Sequence, residues 1–474
     1  MNRRDFLKGS MFFGALAATS AGFAEELAAK AAGCGKMALY HDKPFEKLRV
    51  GVIGLGRGHV AFANLPVIPN CEVTAICDLN AKRISDAQRT IRQAGQKREP
   101  KVYTGGSEEW KKLCDDPEVD LVWNATPWQL HVPIALYAMN AGKHVAVEVP
   151  AAFTVEECWQ LVETSEKLER HCMMLENCCY GETEMLALNL CRQGKFGRLT
   201  HGEGAYIHDL RGYNYAMWDE KTGKAWDIPG GAYWDHWRLK WNMKHKGNQY
   251  PTHGLGPICQ YMDVNRGDQF DYLVSLENNP GQFKEFAYNN WASNKKRWDF
   301  PVEMGDMNTT LIRTKKGRSI MIQHDISSPR PYSRINTITG TKGILMDYPL
   351  RLGWTEHQTD SLHGFFDEKK TAEVRKEFMH PLWKDAGAAA AKQGGHGGMD
   401  YLMTLRLAAC LLEGKPLDQN VYDLAEWCCL CELTEKSVRS GSMPQKIPDF
   451  TRGAWETTPS LGIESVDPKW IMKV

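Results

Sequence analysis

The sequence predicts an α/β protein, a doubly wound parallel sheet followed by an α+β domain with a large, mainly antiparallel sheet. Three observations predict it. From about residue 45 to 175, short β-branched runs alternate with helical stretches, the pattern of parallel strands joined by right-handed helical crossovers. From 176 to 474 the later strands follow one another across short polar turns, the pattern of hairpins. At 474 residues the chain also exceeds what one ordinary core organises, so two domains are expected.

Residues 1–35 read as a leader. Arg3-Arg4-Asp5-Phe6-Leu7-Lys8 precedes an apolar run over 11–24, a twin-arginine export signal. The run is too short to span a bilayer of ~30 Å as a stable anchor, so the protein is expected outside the cytoplasm, in the periplasm. Ala31-Ala32-Gly33-Cys34 loosely resembles a lipoprotein cleavage box, but Glu25 and Glu26 separate it from the apolar run, and Cys34 is read as ordinary.

Within 45–175, strands are expected over 48–53, 73–78, 121–125 and 144–148. In the second domain a strand over 201–208 sets Gly202, Gly204, Tyr206 and His208 on one face, leaving an open floor beneath the tyrosine ring. Further strands fall over 309–314, 319–324, 334–340 and 344–347, with Lys315-Lys316-Gly317 as a turn. Helices follow over 397–412 and 423–438, and 211–250 reads as a long irregular segment. An antiparallel sheet of this kind can expose a face for pairing between copies, so a homo-oligomer is one possibility and the oligomeric state stays open.

Lysine plus arginine equals aspartate plus glutamate at 58 each, so no basic stripe points to nucleic acid. The cysteines sit mostly in apolar runs and no paired C-x-x-C has zinc spacing, so buried thiols and no metal are expected.

Gly54-x-Gly56 follows the first strand and precedes a helix, and Asp78 ends the second strand. This is the Rossmann-type dinucleotide fingerprint, in which a tight glycine turn brings backbone amides to a pyrophosphate. His59 stands where a third glycine or alanine is usual. A carboxylate at Asp78 accepts hydrogen bonds from the ribose hydroxyls and repels a 2′-phosphate, so the expected cofactor is NAD. The fourth strand exits into Thr126-Pro127-Trp128-Gln129-Leu130-His131 and the fifth into Glu148-Val149-Pro150, both at carboxyl ends of strands, where ligands bind in such sheets.

These exits resemble the glucose–fructose oxidoreductase and inositol dehydrogenase superfamily, with Val149 where the superfamily carries a lysine that assists hydride transfer. Five further segments narrow the resemblance: Glu176-Asn177-Cys178-Cys179-Tyr180, Tyr206-Ile207-His208-Asp209, Tyr250-Pro251-Thr252-His253, Arg330-Pro331-Tyr332 and Gly394-Gly395-His396-Gly397-Gly398. Together they are similar to glycoside hydrolase family 109, the NAD-dependent α-N-acetylgalactosaminidases. The resemblance implies that NAD is held by Gly54, Gly56, Arg57, Gly58, Asp78, Trp128, Gln129, Leu130, His131, Glu148, Val149 and Asn177. It implies that Tyr206, Arg238, Tyr250, Pro251, Thr252, His253 and Tyr332 hold a terminal α-linked N-acetylgalactosamine. It also implies hydrolysis by oxidation at C3, proton removal at C2, elimination of the C1 substituent, water addition and reduction. Tyr206 is then the C2 base, with Tyr180 as the alternative, and His253 the acid–base at the C3 hydroxyl. The role of His396 stays open. A sugar dehydrogenase of the same superfamily and a non-catalytic sugar- or cofactor-binding protein are the competing readings.

Overall fold

The computed structural model describes residues 35–211, 237–290, 301–357 and 360–473. The paired arginines, Cys34 and most of the aromatic, glycine-rich segment lie outside the described residues.

The first sheet contains β1 (Leu48–Ile53), β2 (Cys71–Cys77), β3 (Lys101–Tyr103), β4 (Leu121–Asn124), β5 (His144–Val147) and β6 (Cys172–Met174). All are parallel, in the order β3-β2-β1-β4-β5-β6. β4 and β5 are buried at every residue because helices cover both faces, which explains the apolar runs Leu121-Val122-Trp123 and Val145-Ala146-Val147 within them. Strand order reverses between β1 and β4, so their connections leave on opposite faces and open a crevice at the carboxyl edge. Helix Ala81–Gln93 starts on an Asn80 side-chain cap, and Val155–Leu168 on a capping box between Thr154 and Glu157.

The second sheet contains β7 (Leu199–Ile207), β8 (Phe270–Glu277), β9 (Asn308–Thr314), β10 (Ser319–Asp325), β11 (Thr337–Gly340), β12 (Gly343–Met346), β13 (Arg351–Trp354) and β14 (Gln445–Lys446). Their order is β13-β12-β11-β7-β10-β9-β8-β14. Pairing is antiparallel except between β7 and β10, so the sheet is mixed at its centre. β11 starts at Thr337 rather than 334 because Ile335 and Asn336 have positive φ, which takes them out of the ladder. The helix expected over 423–438 is two, Val421–Cys428 and Leu430–Arg439. The segment expected to be irregular contains helix Trp237–Asn242.

The expected open floor under Tyr206 is filled. A Cβ on Gly204 would lie 2.2 Å from the Gly254 carbonyl oxygen, and one on Gly254 would lie 2.2 Å from the Ala205 nitrogen. Helix Thr252–Tyr261 therefore rests directly on β7, through two glycines that no larger residue could replace. That contact sets His253 beside Tyr206. On the sheet's other surface Leu276 and Leu311 stay 66% and 55% exposed. Among the described residues no helix is long and apolar enough to cross a membrane.

Candidate active site

A cavity of about 700 Å³ opens where β1, β4 and β5 end, and the end of β7 closes it from the second domain. At its floor Gly54 has φ +83°, and a Cβ there would lie 2.5 Å from the Ala125 carbonyl oxygen. Gly56 is not tightly packed: the atoms nearest to where its Cβ would be belong to the Arg83 guanidinium, at 3.7 to 3.9 Å. The Asp78 carboxylate accepts from the Leu55 and Asn80 amides, both at 2.8 Å. Two of its roughly four lone-pair positions are thus used for aiming, and two remain for ribose hydroxyls. A tight glycine turn, an open backbone and an aimed carboxylate fit a dinucleotide.

Arg57 leaves the same turn and crosses to the second domain. Its guanidinium forks onto Asp400, at 3.2 and 3.0 Å, and its Nε lies 3.3 Å from Glu148. Asp400 also accepts from Asn177 at 2.7 Å and pairs with His396 Nδ1 at 2.8 Å. Burial opposes charge on Asp400, but His396 and Arg57 hold its carboxyl well below the usual carboxylate range. Glu148 goes the other way. Its burial outweighs Arg57, and Asp400 adds to the effect, pushing its pKa up to about 7.

The opposite end is aromatic. Tyr206 stacks on Tyr250 with ring centroids 4.4 Å apart, and His253 meets Tyr206 edge-on at 5.3 Å. The Arg238 guanidinium lies 4.8 Å from the Tyr250 ring centroid and 5.0 Å from that of Trp128. Trp128 in turn donates from its indole to the Val149 carbonyl, at 3.3 Å. His253 Nδ1 lies 2.7 and 2.9 Å from the two oxygens of Glu176. Burial disfavours charge on Glu176, but His253 and the Cys178 amide hold its carboxyl below the usual range. A carboxylate there fixes the proton on Nδ1 and leaves Nε2 as the acceptor. Glu176, Cys178 and His253 present donor atoms within 4.8 Å of one another, the spacing of a metal trio. Burial raises the Cys178 thiol far above its usual pKa, so it stays protonated and is a poor ligand.

Most of the predicted residues line this cavity: Gly54, Gly56, Arg57, Asp78, Trp128, Leu130, His131, Glu148, Val149, Asn177, Tyr206, Arg238, Tyr250 and His253. Five do not. Gly58 packs inward, where a Cβ would strike the Gly54 carbonyl and Val52, and Gln129 points to solvent. Pro251 and Thr252 are buried at the start of their helix. Tyr332 sets its ring edge-on to His208 at 5.1 Å and takes a hydrogen bond from Arg334 at 3.1 Å. His131 reaches the cavity wall, yet each ring nitrogen lies 2.8 Å from a carbonyl oxygen, Pro150 and Thr126. It braces the two strand exits. Tyr180 lies away from this cavity, its buried hydroxyl donating to Asp418 in a separate one.

A family model described as "Glycosyl hydrolase 109, C-terminal domain" matches residues 180–457. The chain belongs to glycoside hydrolase family 109. A second model, "Oxidoreductase family, NAD-binding Rossmann fold", matches residues 48–176 and makes NAD the cofactor of this glycoside hydrolase. An "Alpha-N-acetylgalactosaminidase" of Bacteroides fragilis is 45% identical over 415 residues, covering 87% of this chain and 94% of its own. "Glycosyl hydrolase family 109 protein 2" of Shewanella sp. strain ANA-3 is 43% identical over 467 residues, covering 98% and 99%. Among solved structures, levoglucosan dehydrogenase in complex with NADH and levoglucosan matches with a TM-score of 0.59 and 21% identity, over 85% of this chain and all of that one. The WlbA dehydrogenase of Bordetella pertussis matches at 0.56 and 16%, over 86% and 99%. At those identities the likeness is one of fold.

Three groups of this family 109 site have no role assigned from the sequence, Glu176, His208 and Asp400, although His208 stands on the strand face of Tyr206. Glu176 was visible only as the neighbour of Asn177, and Asp400 only as the acid four residues after His396, one helical turn away. His396 itself lines the cavity, with its side chain 58% exposed and Nδ1 held by Asp400.

Proposed function

We propose that this glycoside hydrolase releases terminal α-linked N-acetylgalactosamine by oxidation, elimination, addition and reduction. The 45% identical relative of that name supports the sugar. One observation carries the mechanism: Tyr206 and His253, two groups able to move protons, meet at 5.3 Å beside the glycine-turn cavity. That spacing suits action on adjacent carbons of one ring.

Gly54, Gly56, Asp78, Arg57 and Glu148 would hold NAD, which when bound would supply reversible hydride chemistry at C3 of the sugar. His253 removes the C3 hydroxyl proton through Nε2 while Glu176 steadies the imidazolium that develops. The resulting C3 ketone acidifies the C2 proton, which Tyr206 takes, and the C2–H electron pair forms the C1–C2 double bond as the substituent leaves C1. His396, supported by Asp400 and open to the cavity, protonates that departing oxygen and later deprotonates the water that adds at C1, while Tyr206 returns a proton to C2. Arg238 and Tyr250 form the wall against which the sugar ring lies, and Tyr332 stands behind it.

Turnover of a chromogenic α-N-acetylgalactosaminide in deuterated water tests the reading. Release of the chromophore without added cofactor, with deuterium at C2 of the free sugar, is expected. Hydrolysis with C2 unlabelled would overturn it, because displacement by two carboxylates never touches C2.

We also place the enzyme outside the cytoplasm, on the strength of Arg3-Arg4 and the apolar run that follows. An enzyme that regenerates its cofactor in every cycle suits a compartment without a nicotinamide supply. Replacing both arginines by lysine should leave the precursor in the cytoplasm; normal export of that variant would refute the assignment.

A further inference from the structure

His208 is absent from the mechanism above, yet its Nδ1 lies 3.0 Å from the Tyr206 hydroxyl oxygen. The pairing follows from the strand. Two residues apart at the end of β7, both side chains fall on one face, and the His208 amide is pinned to the Asp325 carbonyl at 2.8 Å. The imidazole stands edge-on to Tyr206, with centroids 5.6 Å apart and planes at 88°, and edge-on to Tyr332 at 5.1 Å. It lines the cavity.

We infer that His208 donates its Nδ1–H to the Tyr206 oxygen and so stabilises the tyrosinate that removes the C2 proton. His208 acts through Tyr206 and is a positioning residue; the inference rests on Tyr206 being the C2 base. A phenol is a weak base until it loses its own proton, and a hydrogen bond aimed at the charged form lowers the cost of that loss. In the step itself the Tyr206 oxygen gains the proton from C2, and the electron pair of that bond becomes the C1–C2 double bond. The C1 substituent leaves with its own bonding pair. His208 neither gains nor loses a proton.

The surroundings favour negative charge on the Tyr206 oxygen over positive charge on the imidazole. Burial pushes the His208 pKa down to about 4, and Arg238, His253 and His396 add to the effect against the opposing pull of Asp209. Tyr332 also faces the ring, as a neutral phenol, because burial raises its pKa. An imidazole held neutral remains a donor from one nitrogen across the working pH range. The Arg238 guanidinium, 5.7 Å from the Tyr206 ring centroid, favours an anion on that ring.

The experiment compares the full-length exported enzyme with His208→Asn, His208→Phe and Tyr206→Phe, reading the pH profile of kcat/KM and deuterium entry at C2. Asparagine places an amide donor near the Nδ1 position; phenylalanine keeps the ring without a donor. In His208→Phe the acidic limb due to Tyr206 should move up by about one pH unit, so that activity at neutral pH falls about tenfold and recovers at higher pH. His208→Asn should keep the limb near its original position. A phenolate difference spectrum, taken against Tyr206→Phe, should shift in the same direction. A limb that stays in place in His208→Phe, or that moves down, overturns the inference. Tyr206→Phe that still labels C2 overturns instead the reading on which it rests, so the two failures are distinct.

Discussion

Tyr206→Phe should lose both glycoside hydrolysis and deuterium entry at C2 while keeping its cofactor and its fold. The substitution removes one oxygen. The ring is 6% exposed and stacked on Tyr250 at 4.4 Å, and phenylalanine keeps both the burial and the stack. What disappears is the proton acceptor and its bond to His208. Removing a general base costs roughly 10²- to 10⁴-fold, and the upper end is expected here because among the described residues no second phenol is placed to substitute. Tyr250 is fully occupied in packing and its pKa is raised far above 10 by burial, with Tyr206 adding to the effect. Tyr180 faces Asp418 in the other cavity. The measurement that separates a lost base from a damaged site is the nicotinamide absorbance on adding substrate. His253 is untouched in this variant, so the absorbance of the reduced cofactor should still rise and then stall. Near-normal hydrolysis by Tyr206→Phe would exclude elimination through this tyrosine.

The first sheet was legible because its signals are local. β1, the Gly54-x-Gly56 turn and Asp78 fall within one strand–helix–strand unit, and the two strands, though each carries a charged residue, are rich in β-branched apolar residues. β3 and β6 have three residues each, too few to show a period. The site was legible in its parts and not in its wiring. His253 and Glu176 are 77 residues apart, and Arg57 and Asp400 are 343 apart, so neither pair leaves a mark in sequence spacing. Gly202 and Gly204 were conspicuous, yet small residues along a strand face serve an open pocket or a close-packed helix equally well. Only the position of Gly254 decides between them. The run 394–398 illustrates the same limit. Its composition signals an unusual turn, and all five residues do have positive φ, His396 included. Its placement over Asp400, which turns that histidine toward the cavity, depends on a helix start that composition does not fix.

His253→Ala should stop the reaction one step earlier than Tyr206→Phe, and the difference between the two variants tests the order of events. If His253 takes the C3 hydroxyl proton, its loss leaves the C3 oxygen without an acceptor when the hydride departs. The nicotinamide absorbance should then stay flat on adding substrate, and C2 should acquire no deuterium, since its proton is acidified only by the C3 ketone. The expected loss is again roughly 10²- to 10⁴-fold. Glu176→Gln gives the graded control. Glu176 is fully buried, its oxygens lie 2.7 and 2.9 Å from His253 Nδ1, and it also accepts from the Cys178 amide at 3.0 Å. Glutamine preserves that shape and one acceptor oxygen but removes the negative charge facing the developing imidazolium. A slower rise in absorbance is expected, by roughly 10- to 100-fold, with the C2 label still entering once oxidation has occurred, because the charge matters at the first proton transfer and less at the second. His253→Ala that reduces its cofactor at the normal rate would remove this histidine from C3. Label entering C2 without cofactor reduction would go further, because proton removal would then precede oxidation and the ketone could not be its cause.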